Sequence, residues 1–331
     1  MTTTVARSLA WALVAVSAVA VVADTVITAS YQSLLAEHAW AVHGWPLVTL
    51  ASLGYAVMGA LILSRYPRHP IGLLLCVPGL VSVSLAAESY SFWVLDHDGP
   101  GPKSAGHVAA WISLLTGGQV AIAALSLIFL LSPDGHLPSR RWRWAGWTTV
   151  TGVVVFVAGL LSRPPTEWVL GEDEDVATLT NVLGFVGFAL IGVGLVASAV
   201  AMVVRLRRAR DDLRRQLLWI AASAAFSVAT FIWYAVVQAI QARPEQSLLA
   251  ATPFFLAFLS IPVCVAVAVL RHRLFDIDLI VNRALVVAIA TGLVAAGYVL
   301  LVVGVGAAVG EGTSGFWPSL LATAVVALAF Q

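Results

Sequence analysis

Apolar stretches of about twenty residues recur ten times along this chain, and no other feature limits its fold as strongly. A bilayer core about 30 Å thick needs ~20 apolar residues at a helical rise of about 1.5 Å each. The stretches cover 8–29, 46–63, 71–93, 108–131, 144–161, 179–204, 217–240, 248–270, 284–309 and 316–331. In lipid every backbone N–H and C=O has to be satisfied within its own segment, so each stretch is expected to be a helix. Continuous runs such as 150–161 lack the alternation of a membrane barrel. Composition agrees: 60% of the 331 residues are hydrophobic and 11% charged, against roughly 45–50% and about 25% in soluble domains. That balance excludes a soluble enzyme, a nucleic-acid binder and a disordered linker, and makes the lipid bilayer the expected partner. The expected fold class is all-α, a polytopic transmembrane bundle of about ten spans. Residues 1–331 then form a single membrane domain with no soluble domain.

Charge sets the expected orientation. With the N-terminus inside, the inner segments hold Arg7, Arg65, Arg68, Arg140, Arg141, Arg143, Arg205, Arg207, Arg208, Arg210, Arg214, Arg215, Arg271, Arg273 and Arg283, which is 15 of the 18 basic residues. Only Lys103, Arg163 and Arg243 fall outside. This is the positive-inside bias, and an even number of spans then leaves both termini cytosolic. Arg7 ahead of an apolar run with Ala18, Ala20 and Ala23 also fits a cleavable signal. The run outlasts the usual 7–15 residues, however, and Asp24 follows with no turn signal, so a first span is expected.

Residues able to carry chemistry are few. The chain has no Gly-rich phosphate loop with Lys, no Gly-x-Ser-x-Gly elbow and no His-Glu-x-x-His pair. Cys76 and Cys264, both within apolar runs, read as small hydrophobes rather than a disulfide or metal pair. Ionisable groups inside a membrane are functional candidates because burying them is costly. Asp24 and Glu88 qualify: both reach the headgroups, or both line a shared polar pocket opening outward. Gln119, at mid-depth in the fourth span, has an amide able to bond between helices. The outer segments gather His38, His43, His97 and His107 with Glu37, Asp96, Asp98 and the 172–175 acidic run. Solvated loop polarity is the plain account of these, with a pH response or a divalent metal as alternatives. Inside, Arg205, Arg207, Arg208, Arg210, Arg214 and Arg215 form a basic hairpin suited to anionic lipid or a regulatory contact. As a helix it sets Asp211 four residues from Arg207 and Arg215, and Asp212 four from Arg208. Pro78, Pro253 and Pro262 should kink their spans, and Gly117-Gly118 is a mid-span break. Gly306 and Gly310 fit a small-xxx-small packing pattern.

Four phrases on the inner side carry a resemblance. They are the runs 65–75 (Arg-Tyr-Pro-Arg-His-Pro-Ile-Gly-Leu-Leu-Leu), 132–142 (Ser-Pro-Asp-Gly-His-Leu-Pro-Ser-Arg-Arg-Trp), 215–219 (Arg-Gln-Leu-Leu-Trp) and 271–283 (Arg-His-Arg-Leu-Phe-Asp-Ile-Asp-Leu-Ile-Val-Asn-Arg). Together they resemble the N-terminal multi-span membrane sensor region of bacterial two-component sensor histidine kinases of the high-GC type, and the resemblance covers essentially the whole chain. It implies a bacterial plasma-membrane location, a homodimer, and a kinase module that uses ATP and Mg and passes phosphate to a response regulator. That module is absent from this chain, so no cofactor and no catalysis are expected of these residues themselves. The loop with Arg271, Asp276, Asp278, Asn282 and Arg283 is then a candidate coupling element, or simply a structural loop.

Two functions compete. A sensory input domain needs two helix packings of similar energy that a stimulus can bias. A small-molecule transporter needs discontinuous helices with matched breaks and a polar site near mid-membrane. An intramembrane enzyme is the least expected, since no span offers a nucleophile–base pair.

Overall fold

The computed structural model describes residues 3–31, 44–162, 178–240 and 248–272. Among them every regular element is helical. In chain order these are α1 (Thr3–Tyr31), α2 (Leu47–Arg65), α3 (Pro70–Gly79), α4 (Val81–Asp96), α5 (Lys103–Thr116), α6 (Gly118–Leu131), α7 (Arg143–Leu161), α8 (Thr178–Arg208), α9 (Asp211–Ile240) and α10 (Leu248–His272). A 3₁₀ turn, Arg140–Trp142, leads into α7. With α3–α4 and α5–α6 each taken as one interrupted span, eight spans among the described residues are long and apolar enough to cross a membrane. They coincide with the first eight stretches read from the sequence. The stretches 284–309 and 316–331 lie outside the described residues.

The bundle is built around α2. Its most apolar window is 83% buried, against 22% for α1 at the periphery. The sequence explains this: Ala51, Gly54, Ala56, Gly59 and Ala60 are small enough for helices to approach closely. A Cβ on Gly59 would stand 2.9 Å from the Gly72 carbonyl oxygen on α3, so only glycine permits that crossing. Tyr55, fully enclosed, donates its hydroxyl to the Phe258 carbonyl at 2.8 Å, tying α2 to α10. On the other side of the molecule α7 and α8 pack as a close pair. There Ser126 of α6 meets Thr149 of α7 and Ser198 of α8, each at 3.0 Å.

Among the described residues two spans are not continuous, and hydroxyls meet carbonyls at both breaks. Pro78 lacks an N–H and its ring displaces the preceding turn. Where a kink is expected from the sequence, the helix stops at Gly79 and restarts at Val81. The Gly79 carbonyl accepts from Ser17 of α1 and Ser82 of α4, both at 3.0 Å. In the neighbouring span Gly117 takes an extended ψ of -172° and separates α5 from α6. The Ser113 carbonyl, which the Gly117 N–H would have met in an unbroken helix, accepts instead from Ser84 Oγ at 2.9 Å. Such replacement is what allows a break inside lipid.

A third break alters one sequence-based expectation. α8 stops at Arg208 and α9 starts at Asp211, so the spacings of Asp211 from Arg207 and of Asp212 from Arg208 cross an interruption at Ala209–Arg210. Only Asp211 and Arg215 keep helical i,i+4 spacing.

Candidate functional site

The break at Gly117 opens a cavity. α4 carries Ser84, Leu85 and Glu88 at i, i+1 and i+4, which a helix places on one face. α5 ends above them with Ser113 and Leu114, and α6 begins with Gly118, Gln119 and, one turn on, Ile122. α10 closes the far wall with Phe254, Phe255 and Phe258, and Val48 and Val81 complete it. The enclosed volume is about 260 Å³. Glu88 and Gln119 are half-buried there. Most of the wall is apolar, with a few polar groups set into it, the usual make-up of a small-molecule site.

Asp24 lies one helix behind this cavity and is not in its wall. It is 1% exposed, and both carboxyl oxygens accept hydroxyl protons: Oδ2 from Thr49 at 2.7 Å and Oδ1 from Ser89 at 2.7 Å. Ser89 is the residue after Glu88, so α4 turns one side chain towards Asp24 and the next towards the cavity. Glu88 and Gln119 line one chamber, while Asp24, near enough to Glu88 for the two carboxyl groups to interact electrostatically, joins α1, α2 and α4.

The Arg-rich loops gather at one end of the bundle. Trp11 Nε1 donates to Ser64 Oγ at 3.0 Å, which sets the start of α1 beside the end of α2. The turn 132–136 docks on the turn before α3: Gly135, at φ +77°, lies so near Pro70 that a Cβ would stand 2.5 Å from its Cγ. Arg205 from α8 clasps the first of these turns. Its guanidinium donates to the Ser132 and His136 carbonyls and, at 3.0 Å, to Asp134 Oδ1. Burial pushes the Asp134 carboxyl up, but the His136 N–H and the Arg205 charge and hydrogen bond outweigh it and hold the group below its ordinary range. His69, beside this contact, is pushed below the usual imidazole value by burial and by His136, while Asp134 opposes the shift.

The other candidates are dispersed. Arg207, Arg208, Arg210, Arg214 and Arg215 are exposed around the α8–α9 break. Arg271 falls in the last turn of α10, while Asp276, Asp278, Asn282 and Arg283 lie outside the described residues, as do His38 and His43. His97 sits next to Asp96, Nδ1 to Oδ2 3.1 Å, and His107 is exposed early in α5. Among the described residues no three His, Cys, Asp or Glu side chains converge as a metal site. A larger groove of about 680 Å³ runs along α7, α8 and α9, lined almost wholly by apolar side chains such as Trp144, Val196, Phe231 and Val236.

Sequence reasoning passed over several participants. Phe254, Phe255 and Phe258 look like ordinary span filler, although their i, i+1, i+4 spacing beside Pro253 could have marked a shared face. Thr49 and Ser89 as partners of Asp24 carry no sequence signal, and neither does the reach of Arg205 to a turn about seventy residues earlier. Comparison of the chain with protein-family models, with curated proteins and with solved structures finds no match.

Proposed function

We propose that this chain is a membrane-embedded sensory input domain in a bacterial plasma membrane, its Arg-rich end in the cytosol. A small ligand enters the cavity at the paired helix breaks and biases one of two helix packings. The observation that supports this reading is continuity: the elements that line the cavity also carry the contact at the Arg-rich end. α6 runs from Gln119 in the cavity wall to Leu131, immediately before Ser132 and Asp134. The interrupted span α3–α4 holds Glu88 at one end and Pro70 at the other. A ligand that separates α4 from α6 therefore loads the Pro70–Gly135 and Arg205–Asp134 contacts directly. As the resemblance implies, the output is a dimeric histidine kinase module that needs ATP and Mg and serves a response regulator, with the 271–283 segment as coupling loop.

The chain joined after Gln331 to a cytosolic kinase reporter tests this in membrane vesicles. Gln119→Leu in the cavity and Arg205→Ala at the other end should both shift basal autophosphorylation. If neither changes it, the relay does not exist. A transporter is the second reading, favoured by the adjacent breaks in α3–α4 and α5–α6, which match the discontinuous helices of many carriers. Net accumulation of a labelled solute by vesicles holding this chain alone would decide for transport.

A further inference from the structure

We propose that the groove along α7, α8 and α9 holds one acyl chain of an anionic phospholipid, whose phosphate-bearing head rests on Arg140, Arg141 and Arg143. The proposal does not depend on the cavity at the helix breaks. On α8 the groove runs from Ala189 to Val200, a rise of about 16 Å along a helix. A bilayer core about 30 Å thick gives each leaflet about 15 Å, so the groove has the length of one leaflet's chains. Contacts fix its two ends. Phe231 of α9 closes over Gly192, where a Cβ would stand 2.5 Å from the phenyl ring. At the other end Trp142 packs on a cluster that includes Ala197 and Ala201. Trp142 sits between Arg141 and Arg143, both exposed, where the Arg140–Leu161 span begins. Indole rings at the mouth of an apolar slot, beside arginines, suit the level at which hydrocarbon gives way to headgroups.

Shape and charge together select this occupant. About 680 Å³ spread over that length leaves a mean cross-section of about 40 Å², about half that of a helix ~10 Å across. Hydrocarbon chains therefore enter, and the body of a helix does not. Val193 and Val200, each 50% exposed, leave the groove open sideways along α8, so a chain loads from the bilayer itself. The described lining is aliphatic or aromatic, and a polar solute would lose its water there without gaining hydrogen bonds. Hydrocarbon alone does not distinguish one phospholipid from another. The head does: a phosphodiester at the Trp142 end meets three exposed guanidinium groups. Basic side chains at this level attract anionic lipid, whereas a zwitterionic head brings its own ammonium to the same place and gains less.

The test uses the full chain in phosphatidylcholine nanodiscs doped with a small fraction of phosphatidylglycerol that carries a diazirine at mid-chain. Irradiation fixes the lipid where its chain lies, and peptide mass spectrometry locates it. Label is expected on 189–200 of α8 and 231–236 of α9, about fivefold or more above the same diazirine carried on phosphatidylcholine. The side of α1 that exposes Val16, Val19 and Val22 is the internal reference for chains that merely surround the bundle. Val196→Trp fills the groove and should remove its label while leaving that on α1. Raising salt from about 0.05 M to about 0.5 M shortens the screening length and should erase most of the preference for phosphatidylglycerol in the unaltered chain. Arg140→Gln with Arg141→Gln and Arg143→Gln should do the same at low salt. Each variant is accepted only if its helicity and elution profile match the parent chain, and the salt series needs no variant. Equal labelling of the groove and α1 means an ordinary lipid annulus, and equal labelling by the two lipids removes the role of the arginines; either result overturns the proposal. So does a groove that stays unlabelled while α1 is labelled, since another part of this chain or a second copy then covers it.

Discussion

From α3 to α6 the backbone is interrupted at Gly79–Leu80 and again at Gly117, and hydroxyls from Ser17, Ser82 and Ser84 stand in for missing helical donors. From α7 to α9 the chain instead forms helices of 19, 31 and 30 residues, each unbroken. Both regions are rich in glycine, but glycine serves opposite ends. In α7 and α8 it removes side chains where two backbones touch: a Cβ on Gly187 would come 2.5 Å from the Phe156 nitrogen. At the α5–α6 break Gly118 faces open space, with nothing within 4 Å of its Cβ position. A membrane bundle gains no hydrophobic force from packing one apolar helix on another, so close contact must come from van der Waals fit and hydrogen bonds. The α7–α8 pair uses that fit to its limit. The α3–α6 region gives part of it up, and the cavity is what it has in its place.

The sharpest way to break this contrast is a matched pair of glycine substitutions. Gly187→Leu forces a side chain into the Phe156 backbone and should cost about 3 kcal/mol or more, since overpacking against backbone has no cheap relief. Gly118→Ala should change stability by no more than about 0.5 kcal/mol, as substitutions that touch nothing usually do. Unfolding of the reconstituted chain in denaturing detergent, followed by circular dichroism, measures both. Equal losses would mean that the two regions do not differ in packing as described.

Much of this architecture is readable in the sequence, for a physical reason. Hydrocarbon thickness fixes span length, and the cost of carrying guanidinium across lipid fixes which loops share an end, so eight stretches and the grouping of Arg7, Arg65, Arg140 and Arg205 are legible without coordinates. The Gly117-Gly118 break is legible as well, because two glycines in mid-span weaken a helix. Pro78 signals a disturbance but not its depth. Contacts between distant segments leave no such trace. Ser17 and Gly79 are 62 positions apart, and nothing in the sequence marks Ser17 among the other hydroxyl residues as the one that meets that carbonyl. Arg205 is one of six arginines in its run, and only the fold singles it out.

Next in size is Asp24. Asp24→Ala leaves the Thr49 and Ser89 hydroxyls without their shared acceptor inside the bundle and should cost about 2 kcal/mol. Asp24→Asn keeps one acceptor oxygen and should cost less. This sharpens the comparison, because the α1–α2–α4 junction depends on a polar centre where α7–α8 depends on bare backbone contact. A loss for Asp24→Ala as small as that for Gly118→Ala would remove Asp24 from the structural account. Arg205→Ala follows, at about 1–2 kcal/mol, reduced because Asp134 is 63% exposed and water can replace the lost donor. Arg205→Lys should recover only part of it, since a single ammonium cannot reach two carbonyls and a carboxylate in the guanidinium geometry. Stability measurements on the two variants check the order.

The smallest effect is on pH, and it belongs only to the loops where the two regions meet. His69 sits below its ordinary value of about 6.5, so the folded state favours the neutral ring. Its contribution is complete above that value and declines as pH falls below it, because the unfolded chain takes up the proton first. Asp134 is likewise held below its usual carboxylate range, so its contribution is complete above about 3.8 and is lost only in stronger acid. Acidification should therefore loosen the loop contact in two separate windows. Amide hydrogen exchange of the 132–136 turn, followed from pH 7.5 to 3, resolves them. His69→Asn should erase the upper window and Asp134→Asn the lower, with exchange at the α7–α8 interface unchanged throughout. A turn that opens in a single step, or an interface that opens with it, would show that the loops and the glycine-packed pair respond as one unit.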